Sequence, residues 1–246
     1  MMTFKNSEHT LYSLLFETTD NYENNLQTLL TLLTQTKENS IVVAPEVCLT
    51  SFDYEHMDAM LAFAPKATAA IKKASHQKIV ILTMLEEKEG KIFNFVKVFY
   101  NGEVVFQRAK ARLFRLGNEE KYMQEGSDKE FTIVEIAGIK LALFVCFELR
   151  FKELWQKAEG ADVIAVPSWW GKLRKNHFKV LTEALAIMNQ CYVIASDSAN
   201  DECTGLSGII TPKGEALRNG NKPCLGLQYN KKEIELMRRY IDVGIK

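Results

Sequence analysis

Three short runs in this chain are apolar at every position: Ile41-Val42-Val43-Ala44, Ile79-Val80-Ile81-Leu82 and Val163-Ile164-Ala165-Val166. A strand with one wet face alternates apolar and polar residues, so uniform runs of this kind must be covered on both faces. Between the first two lies a helical pattern, Met60, Leu61, Ala64, Ala67 and Ile71. Ahead of them lies another, Leu26, Leu29, Leu30 and Leu33, opened by Asp20 and Glu23 at capping-box spacing. Buried strands separated by amphipathic helices require helices packed on a sheet, the α/β class.

The remaining segments extend this frame. Residues 11–16 read as a first strand. Past residue 82 the pattern turns to hairpins: residues 92–100 and 103–107 flank Asn101-Gly102, and residues 131–136 and 139–145 flank Ala137-Gly138, so the sheets are mixed. A helix ending at Gly160, the strand before Pro167-Ser168-Trp169-Trp170, a helix from Asn176 as cap to Asn189 and a strand over 192–195 follow. Strand and turn over 205–215, a strand over 225–229 and a helix over 233–240 complete the chain. Roughly a dozen strands with four to six helices predict helix layers covering a pair of sheets. No linker interrupts residues 1–246, which read as a single domain.

Charge narrows the partners. Lys plus Arg and Asp plus Glu both number 31, so no overall field recruits nucleic acid or an anionic membrane. The five cysteines (Cys48, Cys146, Cys191, Cys203, Cys224) are scattered, without a zinc spacing or a CxxC pair, which predicts reduced thiols in the cytoplasm and no metal. Residues 1–8 lack the apolar stretch of a leader, and no run reaches the roughly 18 to 20 residues of a membrane span. No Gly-rich phosphate loop follows any strand, which speaks against nucleotide binding.

Cys146 closes the apolar run 141–145, and charged, helix-compatible residues follow it. A thiol at a strand end before a helix meets unpaired N–H groups and the positive end of the helix dipole, which favour thiolate. Read alone, the feature is weak, and the inert buried thiol that free cysteines usually are is the favoured reading. Three charged residues stand at other strand or loop edges: Glu46 after Pro45, Lys110 opening Lys110-Ala111-Arg112-Leu113-Phe114, and Glu119 seven residues before Gly126. Each alone is an ordinary strand-end or loop charge. A carboxylate, an ammonium and a thiol together are the parts needed for acyl transfer. The histidines His9, His56, His76 and His177 are scattered, which weakens a Cys-His alternative.

In this order, Ala44-Pro45-Glu46, the Lys110 block, Glu119 and Cys146-Phe147-Glu148-Leu149-Arg150-Phe151 resemble the nitrilase, or carbon–nitrogen hydrolase, superfamily. Asn189-Gln190-Cys191-Tyr192-Val193 and Gly205-Leu206-Ser207 through Pro212-Lys213-Gly214 extend the likeness over nearly the whole chain. The resemblance implies a four-layer αββα sandwich with mixed sheets and hydrolysis of a small linear amide or carbamoyl compound without a cofactor. It implies a Cys146 thioester, Glu46 as general base and then acid, Lys110 with the Phe147 N–H as oxyanion donors, and Glu119 as support. Trp169 and Trp170 would line the pocket or simply pack, Glu120 would help define what fits, and Arg150 reads as a structural salt-bridge partner. The family's habits also imply a homodimer.

Several positions depart from the family pattern. Phe147-Glu148 stands for Tyr-Asp, Lys152 for Pro, Arg112 for His, and Leu185 and Met188 for Arg and Glu. These changes leave the four mechanistic positions intact but alter their surroundings. They keep open a second reading, a catalytically silent member that uses the fold for binding or assembly.

Overall fold

The computed structural model describes residues 9–245; residues 1–8, read above as lacking a leader, lie outside the described residues. In chain order the first half runs β1 (Thr10–Leu14), α1 (Tyr22–Thr34), β2 (Ser40–Val43), α2 (Met57–Ala74), β3 (Lys78–Lys88), β4 (Lys91–Tyr100) and β5 (Glu103–Ala109). The second runs β6 (Val134–Ile136), β7 (Ile139–Leu143), α3 (Lys152–Lys157), β8 (Val163–Pro167), α4 (Lys175–Asn189), β9 (Tyr192–Ser196), β10 (Gly208–Ile210), β11 (Ala216–Arg218), β12 (Cys224–Gln228) and α5 (Lys231–Tyr240). The strands form two six-stranded sheets, ordered β12-β1-β2-β3-β4-β5 and β11-β10-β9-β8-β7-β6. In each sheet three parallel strands, β1-β2-β3 and β7-β8-β9, are continued by antiparallel neighbours, so both are mixed.

The uniform apolar runs are explained by what each face meets. Along β2, Ile41 and Val43 join the core cluster that holds Ile164, Val166 and Val193 of the other sheet. Val42 and Ala44 point the other way, into a cluster with Leu29 and Leu33 of α1 and Ala64, Ala67 and Ile71 of α2. The same period-2 division puts Ile79 and Ile81 between the sheets and Val80 and Leu82 under the helices. Phe178, Leu185 and Ala186 of α4 close the opposite side. This is the αββα sandwich expected from the sequence.

Local details differ from the expectation in instructive ways. Asn21, not Asp20, caps α1, accepting the Asn24 N–H at 3.0 Å. Arg174 rather than Asn176 stands at the cap of α4, without a side-chain cap bond. The segment after Cys146 is a 3₁₀ turn, Cys146–Arg150, followed by a short α3 that ends before Gly160; that glycine sits at φ +94° in the next turn. β3 runs on to Lys88 and forms an antiparallel hairpin with β4, because its charged end, Glu86 to Lys88, overhangs as an edge that the apolar pattern does not mark. β12 returns from the end of the chain to pair with β1, which no local signal announces.

Three loops therefore leave the C-terminal ends of parallel strands on the same side. They carry Glu46 after β2, Cys146 after β7 and Trp169 after β8, the place where open α/β sheets put ligands. The Glu46 N–H donates to Ser168 O at 3.2 Å, tying two of these loops across the sheet interface. Lys110 follows the last residue of β5.

Candidate active site

The residues brought together here begin with a lysine between two carboxylates. The Lys110 ammonium donates to Glu46 Oε1 at 2.9 Å and to Glu119 Oε1 at 2.8 Å. An ammonium carries three N–H bonds, so one remains uncommitted among the described residues. Glu46 is further held by Asn94 Nδ2, which donates to Oε1 at 2.8 Å, and by the Trp169 N–H, which donates to Oε2 at 3.1 Å. Glu119 Oε2 accepts the Phe114 N–H at 2.9 Å. Glu46 and Lys110 have no exposed surface, and Val47, Met60, Leu85, Leu113 and Met123 form an apolar cluster beside them.

Cys146 reaches this group through one residue. Its Sγ donates to Trp169 O at 3.6 Å, while the N–H of that same tryptophan holds Glu46. The neighbouring thiol also favours the charged form of the Glu46 carboxylate. The sulfur is thus within one hydrogen-bond network of both charges. Cys146 adopts φ +44°, and Val47, next to Glu46, φ +42°. Left-handed backbone at a β-branched valine is strained and is kept only where surroundings over-determine it. Here the Val47 N–H is fixed by Thr83 Oγ1 at 2.8 Å. The Phe147 N–H, in the first turn of the 3₁₀ segment, has no acceptor among the described residues, so it remains a free donor beside the sulfur.

Closure of the loop between Lys110 and Gly126 depends on that glycine. Its N–H donates to Lys110 O at 2.8 Å, and a Cβ there would stand 2.6 Å from Ala109 O. Any larger residue would push the loop off the strand end that presents the lysine, and Glu119 with it.

Electrostatics correct one expectation. The Cys146 thiol is not tuned toward thiolate: burial and then the charge of Glu46 push its pKa well above the ordinary value, outweighing Lys110. A five-residue 3₁₀ turn also supplies a weaker dipole than the helix expected there. The sulfur therefore rests protonated and needs a base. Burial raises the Glu46 pKa against the opposing pull of Lys110, which makes it a better proton acceptor than an exposed glutamate. Burial alone would lower the Lys110 pKa, but Glu46 and Glu119 hold it well above its usual value, so the ammonium stays charged.

The sulfur opens onto a small, partly open cavity lined by Phe114, Cys146, Phe147, Arg150, Trp169, Trp170, Gly171 and Arg174. Both tryptophans do what was left open: each lines the cavity, and Trp170 also packs on Phe178. Its backbone N–H is held by the buried Asp197 carboxylate at 2.7 Å. Burial raises Asp197 to about 7 despite its several donors. Glu120, expected to help define the pocket, is instead exposed on the Glu119–Lys121 turn and does not line the cavity. A 3₁₀ turn aims consecutive side chains apart, so Glu119 can point inward only if Glu120 points out.

Arg150, expected in a structural salt bridge, has no carboxylate partner among the described residues. It contacts His177 Nδ1 at 3.0 Å and lies over the Trp170 ring at 4.9 Å. Arg174, which the motif reading did not single out, stacks over Phe114 at 5.0 Å, also without a carboxylate. A sequence signal existed: no acidic residue occurs between Asp162 and Glu183. Asn94 was equally missed, and its signal is a lone amide in an apolar stretch of β4.

This arrangement can move a proton from sulfur to carboxylate beside a fixed positive charge, at the wall of a cavity. The chain is 28% identical over 199 residues to a 2-oxoglutaramate amidase of Bacillus subtilis, covering 76% of each protein. It is 26% identical over 212 residues to a deaminated glutathione amidase of Escherichia coli O157:H7, covering 81% of each. Its fold superposes on a CN-hydrolase superfamily protein from Xanthomonas campestris with a TM-score of 0.84, at 20% identity over 95% of this chain and 94% of that one. The carbon-nitrogen hydrolase family model matches residues 17–239, and with all but the two ends of the chain covered, the protein belongs to the carbon-nitrogen hydrolase family.

Proposed function

We propose that the protein hydrolyses the amide of a small linear substrate that also bears a carboxylate, through a thioester on Cys146. The observation that carries this is the Lys110 ammonium fixed between Glu46 and Glu119, with the sulfur linked to Glu46 through Trp169. Sγ attacks the amide carbon as Glu46 takes the thiol proton. The carbonyl oxygen, now an anion, is met by the free N–H of Lys110 and by the Phe147 N–H, donors worth about 3 to 4 kcal/mol of barrier. Glu46 returns the proton to the nitrogen, the C–N bond breaks and ammonia or an amine departs. Water, deprotonated by Glu46, then attacks the thioester, releasing the acid and restoring the thiol.

The two arginines support the carboxylate. Burial and then the charge of Arg174 lower the Arg150 pKa, a cost that an anion seated between them relieves. Stacking on Trp170 and Phe114 holds both guanidinium planes in place. The names of the amidase relatives imply acidic amides as well. Exposed apolar side chains on α4 (Val180, Ile187, Met188) and α5 (Leu236, Tyr240) support the homodimer, which sedimentation would test.

Incubation with glutaramate and related carboxylate-bearing amides tests the reading. Ammonia release and an acyl adduct on Cys146 by mass spectrometry are expected, both absent in Cys146→Ala. If the whole panel yields neither, the silent binding module replaces the enzyme.

A further inference from the structure

One buried, multiply hydrogen-bonded polar group near the site is not used by the thioester mechanism. Arg108 and Glu148 are 2% and 0% exposed and form a two-pronged ion pair, Nη1 to Oε1 at 2.8 Å and Nη2 to Oε2 at 2.6 Å. Phe131 covers the guanidinium at 4.7 Å and packs in turn on Phe144. Neither charged residue lines the cavity.

What the pair holds is backbone, and it holds it at two places. On one side Arg108 Nη1 donates to Ala109 O at 3.0 Å, and Glu148 Oε1 accepts the Ala111 N–H at 2.6 Å. Those are the residues immediately before and after Lys110. On the other side Arg108 Nη2 donates to Leu143 O, and Glu148 Oε2 accepts the Val145 N–H at 2.7 Å. That peptide leads directly into Cys146. One buried unit thus grips the chain around the ammonium and the chain that delivers the sulfur.

Stability alone does not account for such a pair. Burying two full charges costs several kcal/mol per ion, and well-packed apolar replacements are often as stable or more so. Geometry does account for it. The two segments come from different sheets, β5 and β7, and no strand pairing joins them. Without a rigid connector, the spacing of Lys110 and Cys146 would be set by packing of apolar side chains, which fixes distances less tightly than a fork of charged hydrogen bonds. We propose that Arg108 and Glu148 are a positioning pair that sets Lys110 against Cys146, an inference that rests on the thioester reading above. The glutamate at 148, one methylene longer than the aspartate typical of the family pattern, spans this gap to Arg108.

The test compares Glu148→Gln and Arg108→Lys with the wild type on glutaramate, counting active sites by acylation of Cys146. Glu148→Gln keeps the shape but turns a donor toward Arg108 or the Val145 N–H. Arg108→Lys keeps the charge and loses the fork. In both, kcat per active site is expected to fall about 100-fold with KM within about twofold, the signature of displaced reacting groups rather than lost binding. Glu148→Asp should recover part of kcat. Alkylation of Cys146 by iodoacetamide should slow in parallel, a readout that needs no substrate. Unchanged kcat in a folded Glu148→Gln or Arg108→Lys protein overturns the pair and leaves the thioester reading standing. Loss of the folded state in both variants makes the pair a stability element and also overturns the proposal. Wild-type protein that neither acylates nor turns over defeats the thioester reading, and the positioning role with it.

Discussion

Lys110 and Arg174 are both cations close to Cys146, and they are held in opposite ways. Lys110 has no exposed surface and sits between two carboxylates, its charge balanced within the protein. Arg174 stacks on Phe114 at the cavity wall with no carboxylate of its own. A charge neutralised internally can act on an oxygen anion that exists only briefly, because nothing about the resting site changes when it forms. A charge left open waits for a ligand that brings the counter-charge. On the proposed mechanism, one region serves the chemistry and the other recognition.

Substitutions that separate the two regions should differ in kind as well as size. Lys110→Met leaves two buried carboxylates facing each other, so kcat should fall by about 10³-fold or more. Stability should fall by about 3 to 5 kcal/mol, measured by urea unfolding; full activity in a folded variant would merge the two regions. Arg174→Ala should reduce kcat/KM for glutaramate by about 10- to 100-fold, the worth of one charged hydrogen bond, while leaving a neutral amide such as butyramide unaffected. Equal losses on both substrates would put Arg174 in the chemical region.

The inner region can also be probed by pH. Glu46 must be ionised to accept the thiol proton, and burial raises its pKa from the ordinary 4.5. Activity should therefore fall as pH drops through that raised value, placing the acid limb of kcat/KM above the usual glutamate range. Asn94→Ala removes a donor to the charged form and should move the limb further up with little loss on the plateau; a limb that stays put would mean that Asn94 does not tune the base. Smallest of all, Glu120→Ala should change kcat/KM by less than about twofold, as expected for an exposed charge away from the cavity.

The chemical region was legible in the chain because its residues follow strands. Pro45-Glu46 stops one apolar run and Cys146 closes another, and a strand end is a position that pattern alone locates. The recognition region was not. Arg174 opens a helix among other basic residues, and Arg150 reads as a structural salt-bridge partner until Trp170, from a different loop, is seen beneath it. Asn94 was missed because its importance lies in register, opposite no local partner but under Glu46 from another strand. The protonated resting thiol was missed for a related reason: burial and a neighbouring carboxylate decide it, and both come from residues distant in the chain.

From the residues alone came the layered α/β architecture, since uniformly apolar strands have no stable place except between covering layers; the thiol, the lysine and the two carboxylates were singled out by their resemblance to a family pattern. Tertiary structure decided how those groups meet: that the lysine is shared by two carboxylates, that the sulfur keeps its proton, and that two arginines face the cavity without a carboxylate partner among the described residues. Periodicity along a chain reports which side of an element is dry. Charge state and ligand choice depend on distances between elements, and those exist only once the sheets have packed.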